Sequence, residues 1–367
     1  MIRKLLQFLL LVLLAGCTTP DESYDWGDPI QIPDHPAYIW NAGPETNTIT
    51  IVDLDKEKIV GRRQCLPKYS STYDFAVYNK HELFFGIDYA KVDTDLGDEV
   101  RVIDPSLEMQ KVAAIKTYPS PAGIYPISGD KAFLKHTFRS FQDSFWTTTL
   151  IDMRTRKVLK EFHLQNTIFG IVEFPDGRVH LFYSGWGSSN DKFTREFYSA
   201  TDSLGKESKI SDNNFYPTNV IIDDSLIATL TKTDGSEIYN AVGIAKVPSC
   251  ETMATILLTE KDPDAMVYVN NKLYVCHNNG ELMKYGNHNK VSVVDLNTKS
   301  VTKVLTVCNA PTDIAYSQAT NKIVVISGVG TVISIIDPET DSVVKTIVSD
   351  EVGDVDEWGY TRLRIPE

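Results

Sequence analysis

The chain repeats one pattern of apolar and polar positions along most of its length. In six of the seven copies an alternating apolar and polar run ends at an aspartate, a short polar turn follows, and a β-branched run comes after it. The clearest copies are Val291–Leu305 and Ile333–Ile347. Two-residue alternation bounded by turn residues predicts paired β-strands.

Seven copies align on the residue that ends the first run. These anchor residues are Asp53, Asp104, Asp152, Asp202, Lys246, Asp295 and Asp337, at spacings between 42 and 51 residues. A period of this length suits a blade of four strands and is too long for one turn of a short solenoid. Aspartate suits the anchor position because its side chain accepts hydrogen bonds from backbone N–H groups two residues on, which sets the turn.

Two further strands precede each copy. In the last unit they are Pro311–Ser317 and Lys322–Gly328, so a unit has four strands, A to D, in chain order. The sequence therefore predicts an all-β, seven-bladed β-propeller of four-stranded blades over residues 35–367. The N-terminal strands up to Arg62 and a C-terminal strand within Glu357–Ile365 are predicted to share one blade and close the ring. A sandwich with similar hairpins is the alternative.

Three stretches carry a resemblance to a known family. They are AYIWNAGPETNTITIVDLD, KLYVCHNN and NKIVVISGVGTVISIIDPETDSVVKTI. They resemble the YVTN-repeat β-propeller family, in which a Tyr-Val-Thr-Asn-like strand B precedes an Asn-Thr-Val-Ser-Val-Ile-Asp strand C. The resemblance covers nearly all of residues 35–367 and is weak between 185 and 260. It implies a secreted, surface-layer or lipid-anchored binding protein, and some bacterial surface lipoproteins of this shape capture corrinoids for an outer-membrane transporter.

The N-terminus predicts export and a lipid anchor. Two basic residues precede an apolar run, Leu5–Leu14, which is too short to span a bilayer and suits a signal-peptide core. The following Cys17, preceded by Leu-Ala-Gly, resembles the bacterial lipobox, which implies cleavage before it and a diacylglycerol on its sulfur. We expect a signal peptide over 1–16, a lipidated cysteine and tether over 17–34, and attachment to the outer membrane or cell surface rather than the inner membrane. An ordinary signal or uncleaved anchor is the alternative.

One face of the predicted propeller carries much longer connections than the other. The A–B and C–D turns are short, whereas the B–C and D–A loops are long and rich in aromatic residues. Long loops on a rigid scaffold are where binding usually occurs. The candidate ligand-binding residues are Tyr73, Phe138, Phe169, Trp186, Tyr216, His277, Tyr285, Trp358 and Tyr360. Packing of some aromatic rings against blade ends is the alternative.

Common catalytic and cofactor motifs are absent from the sequence. It contains no G-x-S-x-G, H-E-x-x-H, phosphate-binding loop or C-x-x-C-H, so the cofactor remains unknown. His136, His277 and His288 fall on the face with long loops, where imidazoles can ligate a metal. Four acidic residues are close enough together to suggest Ca²⁺ without matching an EF-hand, namely Asp93, Asp95, Asp98 and Glu99. Solvated loop side chains are the alternative in both cases.

The net charge limits which partners we expect, and the positions of the cysteines indicate whether disulfides form. A formal net charge of −13 opposes binding to nucleic acid phosphates, so we expect no nucleic-acid partner. We also expect the propeller to be monomeric. Four cysteines besides Cys17 fall on different blades or faces and are expected to be buried without disulfides. They are Cys65, Cys250, Cys276 and Cys308.

Three functions remain open on these residues, because a fold does not determine function. The first is a non-enzymatic envelope lipoprotein that binds a ligand, such as a large cofactor of the corrinoid type, through its B–C and D–A loops. The second is a protein–protein scaffold in an envelope complex. The third is an enzyme in the channel, of lactonase or quinone-dependent type, with Asp264, Asp313 and His277 as its acid–base set. The sequence favours binding over catalysis.

Overall fold

A computed structural model gives the fold of most of the chain. It describes residues 27–42, 47–66, 70, 72–91, 95–107, 111–137, 146–164, 167–184, 192–210, 219–231, 240–278, 288–328, 332–349 and 360–366. Every regular element in these ranges is a β-strand. The same ranges contain no helix long and apolar enough to cross a membrane.

The strands form seven antiparallel sheets arranged as a seven-bladed β-propeller, which confirms the predicted fold class. From A, nearest the channel, to D, at the rim, blade 1 comprises β31 (Tyr360–Arg364), β1 (Pro36–Ala42), β2 (Thr48–Asp53) and β3 (Lys58–Gln64). Blade 2 comprises β4 (Phe75–Tyr78), β5 (Glu82–Gly86), β8 (Glu99–Ile103) and β9 (Lys111–Lys116). A hairpin of β6 (Tyr89–Lys91) and β7 (Asp95–Leu96) lies in the B–C connection of blade 2.

The next two blades follow the same order of strands. Blade 3 comprises β10 (Pro121–Ile127), β11 (Lys131–His136), β12 (Trp146–Asp152) and β13 (Lys157–Leu164). Blade 4 comprises β14 (Ile168–Glu173), β15 (Val179–Ser184), β16 (Lys192–Tyr198) and an outer strand in two pieces, β17 (Ser203–Leu204) and β18 (Ser208–Ile210). Both pieces pair with strand C of blade 4.

The last three blades are regular. Blade 5 comprises β19 (Asn219–Ile221), β20 (Leu226–Thr231), β21 (Ala241–Lys246) and β22 (Glu251–Leu257). Blade 6 comprises β23 (Pro263–Val269), β24 (Lys272–His277), β25 (Lys290–Asp295) and β26 (Ser300–Thr306). Blade 7 comprises β27 (Pro311–Ser317), β28 (Lys322–Ser327), β29 (Val332–Asp337) and β30 (Ser342–Val348).

The hydrophobic core is divided among the gaps between blades. Within the described ranges, seven clusters of buried side chains occur, one for each pair of neighbouring blades. Trp40 of blade 1 and Phe85 of blade 2 meet in one of them, with ring centroids 4.7 Å apart. Each sheet therefore has both faces covered, which explains why its middle strands are almost continuously apolar.

Blade 1 is built from both ends of the chain. Its strand A, β31, pairs antiparallel with β1, in a register that places Arg364 opposite Tyr38 and Tyr360 opposite Ala42. Leu363 of β31 is 1% exposed and packs in the cluster shared by blades 7 and 1. The C-terminal strand thus contributes to the core as well as to the sheet.

The anchor aspartates close the C–D turns as predicted in five blades. Asp295 Oδ1 accepts hydrogen bonds from the N–H groups of Asn297 and Thr298, at 2.7 and 3.0 Å. The same acceptor role is seen at Asp53, Asp104, Asp152 and Asp337. Asp202 differs, because its carboxylate accepts from Lys131 Nζ of blade 3, at 2.6 Å.

The segment before blade 1 packs against the propeller wall. Ile30, within the range assigned to the tether, is buried between blades 1 and 2, and its N–H donates to the Pro105 carbonyl at 3.0 Å. Gly27 lies beside Arg63 of the outer strand of blade 1. The signal peptide and Cys17 lie outside the described residues.

The four remaining cysteines are buried thiols. In the part of the chain that the structure describes, no disulfide joins Cys65, Cys250, Cys276 or Cys308. Burial raises the pKa of the Cys308 thiol to about 12. These side chains therefore act as small apolar groups of the core.

Shortening the buried Leu363 side chain of the closing strand, β31, should lower the stability of the whole ring. We expect Leu363→Ala to lower the free energy of unfolding by about 2–5 kcal/mol, the usual cost of truncating a fully buried leucine. Leu257→Ala, at a side chain 63% exposed, is the matched control and should change it by less than about 0.5 kcal/mol. Urea denaturation measures both, and equal effects would show that β31 contributes little to closure.

Candidate functional site

An ion cluster lies at the end of the channel where the A strands begin. Asp74 directly precedes strand A of blade 2, Asp313 is the third residue of strand A in blade 7, and Arg364 belongs to strand A of blade 1. The Arg364 guanidinium contacts both carboxylates, through Nη2 to Asp74 Oδ1 and through Nη1 to Asp313 Oδ2, the latter at 3.4 Å. One arginine thus joins three successive blades.

Backbone donors hold both carboxylates in place. Asp74 Oδ1 accepts from the N–H of Phe75 at 2.8 Å. Asp313 accepts from the N–H of Ile314 at Oδ1 and from the N–H of Leu363 at Oδ2, both at 2.9 Å. Because these donors belong to strand backbones, the positions of the two carboxylates are set by the sheets themselves.

The Arg364 side chain is equally constrained. Its Nε donates to the Phe75 carbonyl at 3.2 Å, and its guanidinium carbon lies 5.8 Å from the centre of the Phe75 ring. That position combines a hydrogen bond with a cation–π contact. The side chain remains 33% exposed, so water reaches it within the ring.

The enclosure perturbs the ionisation of the cluster. Burial raises the pKa of the Asp74 carboxyl, and the Arg364 guanidinium opposes that rise. Burial also disfavours the charge of Arg364, but Asp74 and Asp313 outweigh it and raise the Arg364 pKa. The charges therefore stabilise one another inside the ring.

Three more ionisable side chains interact electrostatically with these charges. Asp264 of blade 6 accepts from Asn278 Nδ2 at 3.5 Å, and burial raises its carboxyl pKa. Arg362 lies two residues from Arg364 on the same strand. Lys135 comes from strand B of blade 3, and burial lowers its pKa against the opposing charge of Asp74. The channel cluster is defined as Asp74, Lys135, Asp264, Asp313, Arg362 and Arg364.

Tyr73, a predicted ligand-binding residue, directly precedes Asp74 of the channel cluster. Its side chain hydrogen-bonds to the carboxylate of Asp88, whose pKa is raised by burial. Thr137 Oγ1 donates to Asp88 Oδ1 at 2.5 Å. Ser120 Oγ donates to the Asp88 backbone carbonyl at 3.2 Å. Tyr73 is therefore tied to a polar network between blades 2 and 3.

The structure places His277 inside a blade. Its Nδ1 lies 2.8 Å from the Lys261 carbonyl and its Nε2 lies 2.8 Å from Ser292 Oγ. The side chain is fully buried, and burial lowers its pKa. Both ring nitrogens are therefore engaged, although Asp264 and Asp313 of the same proposed acid–base set do lie in the channel.

His136 of blade 3 repeats this arrangement. Its Nδ1 lies 3.0 Å from the Pro119 carbonyl and its Nε2 lies 2.9 Å from Thr149 Oγ1. Burial lowers its pKa to about 4. His136 and His277 both end strand B, which identifies them as equivalent residues of the repeat. The third candidate, His288, accepts at its carbonyl from the N–H of Ala310.

The remaining predicted residues are placed differently or lie beyond the described ranges. Phe169 is half-buried and stacks on Phe182 of its own blade, with centroids 6.5 Å apart. Tyr360 begins β31. Outside the described residues lie Phe138, Trp186, Tyr216, Tyr285 and Trp358.

Of the four acidic residues considered for Ca²⁺, three lie within the described ranges and one does not. Asp93 lies outside the described residues, and Asp95 belongs to β7. Asp98 pairs with Lys116 Nζ and Glu99 pairs with Arg101 Nε, each at 2.5 Å. Across the described ranges, no three acidic, histidine or cysteine side chains come together as metal ligands would.

Sequence reasoning missed most of the channel cluster. Asp74, Lys135, Arg362 and Arg364 come from three blades, and their convergence depends on ring geometry. One local signal was present, because arginines alternate with Leu363 in a strand expected to be innermost. Charged residues on one side of such a strand indicate a polar channel.

Comparison with known proteins supports the fold and assigns no family. No family model matches the chain, and no curated protein matches its sequence. A functionally unknown protein from Desulfotomaculum acetoxidans superposes with a TM-score of 0.63 at 12% identity, over 91% of this chain and 100% of the other. Dihydro-heme d1 dehydrogenase in complex with DHE superposes with a TM-score of 0.56 at 11% identity, over 91% of this chain and 68% of the other. Hydrazine synthase from Kuenenia stuttgartiensis superposes with a TM-score of 0.54 at 14% identity, over 92% of this chain and 99% of the other.

These similarities define the class of protein. At such identities the shared feature is the fold alone, so the chain is a seven-bladed β-propeller whose channel carries an ion cluster. The blades and the channel cluster together are the basis for any functional assignment.

The buried histidines should make the fold sensitive to acid. The pKa of His136 is about 4 in the folded protein and returns to 6.5 on unfolding. Between these two pH values the unfolded chain binds more protons than the folded one, so the free energy of unfolding falls as the pH drops from 6.5 to about 4. The full contribution is about 3 kcal/mol. His136→Gln should flatten the dependence of unfolding free energy on pH between 7 and 4.5, measured by urea titration. The exposed His163→Gln is the control, and identical slopes for all three proteins would contradict the assignment.

Removing the bridging cation should leave two carboxylates uncompensated. Arg364→Met is expected to lower the free energy of unfolding at pH 7 by about 1–3 kcal/mol, less than for a dry ion pair because water reaches the cluster. Adding Asp74→Asn should restore part of the loss, because one of the two carboxylates is then neutral. A double-mutant cycle in urea tests this, and strictly additive losses would mean that the two side chains are not coupled.

Proposed function

We propose that this protein is an exported, lipid-anchored binding protein that holds a small polar ligand at the end of the channel where the A strands begin. The single observation that carries the proposal is the channel cluster. Six ionisable side chains interact electrostatically with one another, and two of the carboxylates are fixed by backbone donors. Catalysis is not part of the proposal.

The cluster is not the main source of cohesion between the blades. The gaps between blades are filled by apolar side chains, which supply the favourable burial for folding. Enclosing charges opposes folding unless each is paired and hydrogen-bonded. A set of partly enclosed charges that water still reaches is therefore better accounted for by a ligand than by stability.

A large cofactor, such as a corrinoid, is one ligand type within this proposal. The resemblance to corrinoid-capturing lipoproteins and the long B–C loops in the sequence favour it. The fold is shared with dihydro-heme d1 dehydrogenase, which has been solved with DHE. Trp186 and Tyr285, which lie outside the described residues, are the predicted aromatic contacts of such a ligand.

The lipid anchor is compatible with a free channel. Residues 27–34 run beside the outer strand of blade 1, where Ile30 is buried and Gly27 neighbours Arg63. The described part of the chain therefore begins at the outer wall of the propeller. An acyl group on Cys17 would tether the protein to a membrane surface.

Native mass spectrometry on residues 18–367 tests the proposal, since all seven blades lie within residues 36–364. Incubation with a cofactor-containing cell extract should give one small-molecule adduct per chain. Asp264→Asn should lose the adduct, because it removes a charge from the channel cluster with little change of shape. Asp224→Asn, in an exposed turn, is the control and should retain it.

The absence of an adduct across repeated extracts would overturn the binding proposal. That outcome would favour a protein–protein scaffold, for which one observation speaks. The outer strands of blades 5 to 7 carry exposed apolar side chains, namely Met253, Leu257, Val304, Val344 and Val348. Exposed apolar side chains of this kind are common in protein interfaces.

A further inference from the structure

The outer strand of blade 5, β22, differs from the outer strands of the other six blades. Each of those six carries at least one exposed lysine. These lysines are Lys58, Lys116, Lys160, Lys209, Lys303 and Lys345. Lysine on an outer strand is a usual means by which a sheet edge is kept from pairing with another chain. β22 contains no lysine or arginine, and its Met253 and Leu257 side chains are 58% and 63% exposed. Its edge is therefore unprotected.

The backbone of β22 presents hydrogen-bonding groups to this edge. β22 is the last strand of its sheet, and strand C of blade 5 pairs with its inner side in a regular register from Ala254 to Leu257. The N–H of Leu258 donates to the Asn240 carbonyl at 3.0 Å, so this residue bonds inward. Because successive residues of an antiparallel strand bond to opposite sides, the N–H and C=O groups of Thr255 and Leu257 point outward.

The exposed side chains lie on the side of β22 that faces away from blade 6. Ala254 and Ile256 pack into the cluster between blades 5 and 6, so alternation places Thr255 and Leu257 on the opposite side. The neighbouring outer strand on that side, in blade 4, consists of β17 and β18, which are two and three residues long. A strand in two short pieces covers less of its neighbour than a continuous strand would.

The sequence at this edge is self-complementary under a two-fold rotation. Residues 255–259 read Thr-Ile-Leu-Leu-Thr and carry no charge. When two copies pair antiparallel about Leu257, the two Leu257 side chains lie opposite each other, and Thr255 lies opposite Thr259 of the second copy. Apolar pairs and threonine pairs are favourable across strands, and no like charges are opposed in this register. The contact uses the same surface on both copies, so it closes as a dimer.

We propose that β22 is an interface between two copies of this chain, which pair edge to edge about a two-fold axis at Leu257. The inference goes beyond the proposed function and differs from the monomer expected from the sequence. A second copy is favoured as the occupant because this edge matches itself, both in side chains and in the phase of its outward backbone groups. The net charge of −13 opposes the approach of two copies, and an uncharged edge reduces that repulsion at the contact.

The position of blade 5 leaves the other features of the propeller accessible. In a ring of seven, blade 5 lies across from the junction of blades 1 and 2, where Ile30 of the N-terminal segment packs. β22 is also separated from the channel by the three inner strands of its own blade. Because the paired strands are antiparallel, the two channels open in opposite directions. Pairing therefore covers neither channel.

Analytical ultracentrifugation of residues 18–367, from about 1 to about 200 µM, tests the proposal. We expect a reversible dimer with a dissociation constant in the micromolar range, because a single strand edge is a small interface. Leu257→Lys supplies the charge that the other outer strands carry and should raise the dissociation constant by about tenfold or more.

Val348→Lys is the matched control for this substitution. Val348 lies on the outer strand of blade 7 and is also 63% exposed, so the change adds the same charge at a site of equal exposure. It should leave the dissociation constant within about twofold. Since both side chains are exposed, the melting temperature of the dilute monomer should not change in either variant.

Disulfide cross-linking gives the position of the axis. The four cysteines within residues 18–367 are all buried, so an introduced surface cysteine is the reactive thiol. Leu257→Cys should give a covalent dimer on oxidation, because the two-fold axis places the two thiols side by side. Glu251→Cys, at the far end of the same strand, should remain monomeric under the same conditions.

The salt dependence provides a further readout. Raising the NaCl concentration from about 20 to about 500 mM screens the repulsion between two acidic chains, so it should strengthen the dimer. Dissociation by salt would overturn the proposal, because it would mean that charged contacts hold the copies together.

Three other results would overturn the proposal. They are a dimer that Leu257→Lys and Val348→Lys weaken equally, a covalent dimer from Glu251→Cys but not from Leu257→Cys, and a monomer at every concentration. The last result would leave an extended strand of another protein as the occupant of this edge.

Discussion

The structure depends on one constraint, which is that every sheet has two apolar faces and each must be covered by a neighbour. In an open row of blades the first and last sheets would each expose one such face to water. A ring removes both exposed faces, and here the cluster containing Ile39 and Leu363 covers the gap between blades 7 and 1. The apolar character of the middle strands and the pairing of the chain ends both follow from that requirement.

The side chains that line the channel are not subject to the apolar requirement that holds in the gaps between blades. Strands A line a space that water can enter, so their channel-facing positions do not need to be apolar. Asp74, Asp313 and Arg364 use that freedom, and their backbone hydrogen bonds make the arrangement rigid. Rigidity matters for recognition, because a pre-organised set of charges loses little free energy when a ligand arrives.

The repeat made the fold predictable, because each blade carries its own local signals. An aspartate at the end of strand C closes its turn with the next few backbone N–H groups, and that interaction needs no knowledge of other blades. The site was far less predictable. Arg364, Asp74 and Asp313 belong to blades 1, 2 and 7, so only the closed ring brings them together. The prediction of His277 as a ligand-binding residue could not anticipate its contacts with the Lys261 carbonyl and Ser292 Oγ.

The pairing of β1 with β31 also determines when the molecule can finish folding. Tyr38 can pair with Arg364 only after Arg364 has been synthesised, almost a full chain length later. Contacts between such distant segments form slowly, because a long loop must close first. Blades 2 to 7 can assemble as a growing arc, but the arc stays open until the final strand emerges. A chain of this design therefore reaches its final packing only when its synthesis is nearly complete.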